Sequence, residues 1–185
     1  MPGAEHFDLS LLKSCGTDVY ISPRAEIRRP HLVEVGHHVA VDSGVYISTK
    51  ASIGDYTHIS PYVTVIGGEK SEFLLGHFAT VAAGCRIIAG SDAFLGEGFT
   101  SVTVPNEYRD KVEYSTIHIG RFAGIGSNAV IMPGVRIAEG SVIGACSLVN
   151  KDTEPWTIYF GTPARAIKLR KKERMLEYAK RLGYL

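Results

Sequence analysis

The chain has few cysteines, one tryptophan, no long apolar run and almost no charge imbalance. Cys15, Cys85 and Cys146 are an odd and widely spaced set, which excludes a disulfide framework and a C-x-x-C metal knuckle. A reducing, cytoplasmic setting is the expectation. With 20 Lys and Arg against 19 Asp and Glu, the net charge is +1. Such a balance offers no global field for nucleic acid or an anionic membrane. No apolar stretch approaches the ~20 residues that span a bilayer, so membrane insertion is not expected. The opening "MPGAEHFDLS" has no basic segment leading into an apolar one, so no signal peptide is expected.

What is abundant is glycine, 20 of 185 residues, and a fixed period. From Val35, steps of six give Val41, Ile47, Ile53, Ile59 and Val65; from Ile119 they give Ile125, Ile131, Ile137, Ile143 and Val149. Leu75, Val81 and Ile87 form a shorter run between them, and Ile21 and Ile27 extend the pattern upstream. The residue two before each rung is small or β-branched: Val33, Val39, Val45, Ala51, Thr57 and Val63 in the first run, and Ile117, Ala123, Ala129, Val135, Ser141 and Ser147 in the second. A helix would repeat near 3.6 and a hairpin sheet would alternate without a fixed six. Period six describes a short strand and a turn, repeated, with the rungs stacked inward. The expectation is an all-β solenoid.

Three interruptions break the period. The step is eight from Ile27 to Val35 and ten from Val65 to Leu75, and the register is lost between Ile87 and Ile119. An insertion of that length in a repeat fold is usually functional. Three segments are expected: an N-terminal cap over 1–16, a repeat domain over 17–152 with a loop insertion at about 92–116, and a tail over 153–185. An amphipathic helix is expected from Lys168 to Leu182, with Leu169, Leu176, Ala179 and Leu182 on one face and Gly183 as its stop.

The hexapeptide runs, the insertion, "VNKDTEPWTIYFGTPARAI" and the basic terminal segment resemble the left-handed parallel β-helix acyltransferases. Within that family, "HIS", "GSDAF" and "TSVTVPNEY" are similar to acyltransferases of bacterial surface-polysaccharide (O-antigen, lipopolysaccharide) pathways, especially those acting on dTDP-4-amino-4,6-dideoxyglucose. The galactoside and maltose O-acetyltransferases are more distant. The resemblance implies a homotrimer with active sites between subunits, acetyl-CoA as co-substrate, a nucleotide-linked aminosugar as acceptor and no metal. O-acetylation of a simple glycoside is the alternative. A γ-carbonic anhydrase-like metal enzyme would need a histidine pair five residues apart, which is missing, and the "GTPAR" ending and Lys151 argue against a non-catalytic scaffold.

Direct acyl transfer needs a base, oxyanion donors and a cleft that holds both substrates. The O-acetyltransferases carry a catalytic loop histidine at a position that falls here on Ser91 or Asp92, neither of them histidine. Two replacements stand out. His58 immediately precedes an inward rung, so alternation turns it outward; its family counterpart lines the acceptor site. His77 sits at a corner two residues after a rung, at a phase resembling lipid A-type acyltransferases. His58 is the first candidate for the base and His77 the second. Asp92 is a candidate to orient the imidazole or to bind an amino group. Ser60, Ser91, Tyr108 and Arg109 are candidate acceptor contacts. On the donor side, Gly126, Ser127 and Ala145 are small turn residues that would let a pantetheine arm approach backbone groups. Lys151, Arg165 and Lys168 match the family's phosphate-contacting positions.

Overall fold

A computed structural model describes residues 7–185; residues 1–6 of the expected N-terminal cap lie outside them. The chain winds into a three-sided parallel β-solenoid, the architecture of the left-handed β-helix, with sheets of six, eight and six strands. The rungs that share a side are 18 residues apart where the repeat is regular. On the first side, Val35 aligns with Ile53, Leu75, Ile119 and Ile137. On the second, Val41, Ile59, Val81, Ile125 and Ile143 align. On the third, Ile27, Ile47, Val65, Ile87, Ile131 and Val149 do so. Every rung of the two six-membered runs is buried, and so is every residue two before it. Each fully buried isoleucine contributes about 1.5–3 kcal/mol, and stacking at ~4.8 Å per coil makes the contributions contiguous.

All three interruptions fall at the same corner, from the third side to the first. The step of eight is taken up by the short 3-10 turn Pro30–Leu32. The step of ten passes through Gly67 and Gly68, both at positive φ. The long insertion leaves after Arg86–Ile88 and returns at Thr116–Ile119. Extra chain can bulge there without disturbing the coils above and below.

At the next corner, from the first side to the second, aromatic rings stack along the axis. Tyr56, Phe78 and Phe122 have centroids 5.1 and 5.3 Å apart and nearly parallel planes. Trp156 continues the column 5.7 Å from Phe122. It fills the space over Gly140, where a Cβ would lie 2.3 Å from the indole.

The N-terminal end is closed by a 3-10 turn, Leu9–Leu11, capped by Asp8, and pairing already begins at Ser14–Cys15. The other end differs from the sequence expectation. Arg165–Leu169 is a strand, antiparallel to Thr157–Phe160, and the helix runs only from Glu173 to Arg181. The open edge of the second sheet presents unpaired N–H and C=O groups, and the "RAIKL" segment pairs with it before the helix can start. Leu169, expected on the helix's apolar face, is exposed on that strand, and Leu182 is half exposed. Ala179 is buried against Phe122 and Trp156, with Met175 and Leu176 packing alongside.

Candidate active site

Strand alternation sets His58 outward, because Ile59 is inward. On the outer surface of the second sheet His58 lies beside Ala40 of the preceding coil and Thr80 of the following one. Its Nε2 is 2.8 Å from Oδ2 of Asp42, the residue after rung Val41. Ser60, half-buried at the following corner, donates its backbone N–H to Val81. His58, Asp42 and Ser60 therefore gather where the second side turns toward the third.

His77 is occupied differently. It stands three residues before Thr80, at the corner between the first and second sides. Its Nδ1 accepts the backbone N–H of Asp55 at 2.8 Å, and its ring lies 5.2 Å from that of Tyr184. Asp55 accepts from the His37 amide at 2.7 Å and from the Tyr184 hydroxyl at 2.7 Å. Burial pushes the Asp55 carboxyl up, but these donors together with the His77 and His37 imidazoles hold it below its ordinary value. His118 is on the outer surface of the first sheet, where burial, and then the Arg136 charge, lowers its pKa.

The insertion folds on itself. Gly90–Asp92 pairs antiparallel with Val112–Tyr114, and the buried Asp110 accepts the backbone N–H groups of Phe94 and Lys111, both at 2.8 Å. Ser91 and Asp92 are half-buried in this hairpin. Tyr108 is exposed. The Arg109 guanidinium holds two carbonyls of its own loop, Val104 and Val102. The hairpin springs from the corner between the third and first sides, and the second side is opposite that corner of a three-sided prism. One chain therefore keeps Ser91, Asp92, Tyr108 and Arg109 apart from His58.

Lys151 and Arg165 share a cleft of about 330 Å³ with Asn150, Asp152 and Tyr159. Lys168 is outside it, on the exposed strand opposite Ile158. Gly126, Ser127 and Ala145 sit at the corner between the second and third sides. The coil stack itself demands a glycine at 126, since a Cβ there would lie 2.5 Å from the Ala145 nitrogen. Ser127 accepts the Cys146 N–H through its carbonyl at 2.8 Å, and Ala145 is exposed. Among the described residues, no three or more His, Cys, Asp or Glu side chains gather as metal ligands would.

The sequence reading missed Asp42. A coil of 18 residues places Ala40 beside His58, and Asp42 is two further along the same coil, so the spacing of 16 was a usable signal. Asp55 and Tyr184 were missed as well; nothing local connects them.

Residues 116–151 match the family described as bacterial transferase hexapeptide (six repeats). An Escherichia coli dTDP-4-amino-4,6-dideoxy-D-glucose acyltransferase is 30% identical, covering 87% of this chain and 84% of its own. The fold superimposes on a point variant of AntD, an N-acyltransferase from Bacillus cereus, in complex with dTDP-4-amino-4,6-dideoxyglucose and coenzyme A. That match has a TM-score of 0.88 and 30% identity, covering 98% of both chains. A further AntD structure, in complex with dTDP and 3-hydroxybutyryl-CoA, matches with a TM-score of 0.86 at 31% identity over 97% of each. An E. coli chloramphenicol acetyltransferase is 53% identical, but over 55 residues, 30% of this chain and 26% of its own. So short a match, a quarter of that enzyme, carries no information about the acceptor.

Proposed function

The chain is an acyltransferase of the bacterial hexapeptide-repeat transferase family, and on that premise we propose that it moves an acyl group from coenzyme A to the 4-amino group of a dTDP-linked 4-amino-4,6-dideoxyglucose. The observation that carries this reading is the match, over 98% of both chains, to an N-acyltransferase holding that sugar nucleotide and coenzyme A. Acetyl-CoA is the donor implied by the sequence, and the relative with 3-hydroxybutyryl-CoA makes a longer acyl group the natural comparison.

In this reading His58 takes a proton from the amino group as its nitrogen attacks the thioester carbonyl. The C–S bond then breaks, and the departing thiolate receives the proton. Lys151 and Arg165 line a cleft suited to the donor's phosphates, with Lys168 as an outlying cation. Gly126, Ser127 and Ala145 border the path of the pantetheine arm. Asp92 meets the amino group, with Ser60, Ser91, Tyr108 and Arg109 around the acceptor.

Ser91, Asp92, Tyr108 and Arg109 of the insertion lie across one solenoid from His58 and Ser60, so the complete site forms between copies in a homotrimer. The insertion supports this arrangement, because it exposes Phe94, Leu95, Phe99 and Val102, each at least 65% accessible in the single chain, and such a patch marks an interaction surface. Acyl-CoA and nucleotide sugars meet in the cytoplasm, which is where this reaction would run.

The test is thiol release from acetyl-, butyryl- and 3-hydroxybutyryl-CoA against dTDP- and UDP-linked aminosugars and simple glycosides. Turnover confined to a 4-amino sugar nucleotide is expected; turnover only with a hydroxyl acceptor overturns the reading.

A further inference from the structure

We propose that Asp42 is a positioning residue for acyl transfer: it fixes the tautomer of His58 so that Nδ1, not Nε2, is the basic atom. The inference rests on the reading of His58 as the base.

An ionised carboxylate can only accept hydrogen bonds. With Oδ2 of Asp42 at 2.8 Å, Nε2 of His58 must carry the proton. The lone pair of the neutral ring is then on Nδ1, and among the described residues no group bonds to it. The side chain of His58 is 47% accessible, while that of Asp42 is 32%, so the carboxylate is the more sheltered partner and the imidazole tip the one offered to a ligand. The backbone N–H of Asp42 is itself bonded to the carbonyl of Ile59 at 2.9 Å. The carboxylate thus hangs from a coil whose position relative to His58 is set by the β-ladder.

The other corner imidazoles show why this matters. His77 and His37 each accept a backbone N–H through Nδ1, from Asp55 at 2.8 Å and Thr17 at 3.0 Å. When neutral they carry their proton on Nε2 and have no lone pair left for a substrate. His38 is paired with a carboxylate, Asp18, at 2.9 Å. That carboxylate is 79% accessible, and the ring is stacked on Tyr56 with centroids 4.5 Å apart. Among the described residues, only at His58 do a sheltered carboxylate, a free lone pair and an uncovered ring coincide.

In the reaction, Nδ1 accepts the proton released by the amino group as the new C–N bond forms. The imidazolium that results has its Nε2–H on the Asp42 carboxylate, so the developing positive charge meets a fixed negative one. The proton leaves Nδ1 for the thiolate as the C–S bond breaks, and both groups return to their starting state.

The experiment uses the full chain. Asp42→Asn keeps the size and an oxygen acceptor but removes the charge; Asp42→Ala removes both; Asp42→Glu keeps the charge. Asp18→Asn is the control, expected within about twofold of wild type. The expected loss in kcat is on the order of 10- to 100-fold for Ala and smaller for Asn, part of the 10²–10⁴ that a general base supplies, with partial recovery in Glu and KM for both substrates nearly unchanged. Independently, 15N NMR of labelled imidazoles reads the tautomer: wild-type His58 should be protonated on Nε2, and Asp42→Ala should mix the two forms. Unchanged kcat in Asp42→Ala, a rise in KM alone, or a wild-type His58 protonated on Nδ1 overturns the proposal. If the tautomer follows Asp42 but His58→Ala keeps full activity, the assignment of the base has failed and not the pairing.

Discussion

Tyr184 donates its hydroxyl to Oδ2 of Asp55 at 2.7 Å, tying the segment after the C-terminal helix to a coil 129 residues earlier. The Tyr184 ring is edge-on to both Tyr56 and Phe78, so it clamps the side of the aromatic column as the helix covers Phe122 and Trp156. The bond to Asp55 is the main cause that pushes the Tyr184 phenol up to about 12 from its ordinary 10. A raised folded-state value means that the clamp's contribution is complete below pH 10 and is lost as pH climbs toward 12. Asp55 is shifted the other way, so its contribution is present above its ordinary 3.8 and fades as pH falls below that. Trp156 is the only tryptophan and reports helix docking. Its emission should shift to the red between pH 10 and 12 in wild type, and Tyr184→Phe should lack that step and melt at a lower temperature at neutral pH. An identical alkaline step in the variant would refute the clamp.

The two base candidates separate cleanly by experiment. His58→Ala should lower kcat by roughly 10²–10⁴-fold with coenzyme A affinity nearly intact. His77→Ala should leave turnover within about twofold and cost about 1 kcal/mol of stability, because the Asp55 N–H loses its acceptor. Urea denaturation and steady-state kinetics on both variants decide it; a collapse of kcat in His77→Ala with normal turnover in His58→Ala reverses the roles.

How far the sequence reached depends on the range of the contact. The rungs were legible because burial alternates with the same period on every coil, and Ile59 obeys it whether or not His58 does chemistry. The strand Arg165–Leu169 was not, because its basic residues suit a helix and only the open edge of the second sheet selects a strand. His58 was found as an outward residue, but Asp42 beside it required counting back by one coil less two. The link from Tyr184 to Asp55 follows from where the terminal helix docks, which no spacing encodes.

Lys151 and Arg165 share one cleft and should act on one ligand. Lys151→Ala and Arg165→Ala should each raise KM for acyl-CoA by about tenfold, in keeping with the loss of one charge-assisted contact, while kcat stays near wild type. Lys168→Ala, on the strand outside the cleft, should do less. Coenzyme A titrations at two salt concentrations give the check: the wild-type affinity should fall more steeply with salt than that of either cleft variant. A loss of kcat with unchanged KM would contradict the phosphate role.

Two glycines distinguish what the fold demands from what it merely tolerates. At Gly76 a Cβ would lie 2.6 Å from the backbone nitrogen of Arg121 on the next coil, an atom that cannot move without breaking the β-ladder. Gly76→Ala should therefore cost about 1–3 kcal/mol, as overpacking does. At Gly124, on the outer surface of the second sheet, a Cβ would meet only Oγ1 of Thr80 and Cγ2 of Val142, both at 3.9 Å. Glycine within a strand is roughly 0.5–1 kcal/mol worse than alanine, so Gly124→Ala should raise the melting temperature of the isolated chain. Gly124 is next to Thr80, which lies beside His58, so the same substitution should impair acyl transfer if substrate or a neighbouring copy approaches that surface. Calorimetry and the thiol-release assay on this one variant separate the two effects: a stabilised protein with reduced turnover means that the bare strand is kept for what docks there, whereas full activity means that the glycine has no role in the site.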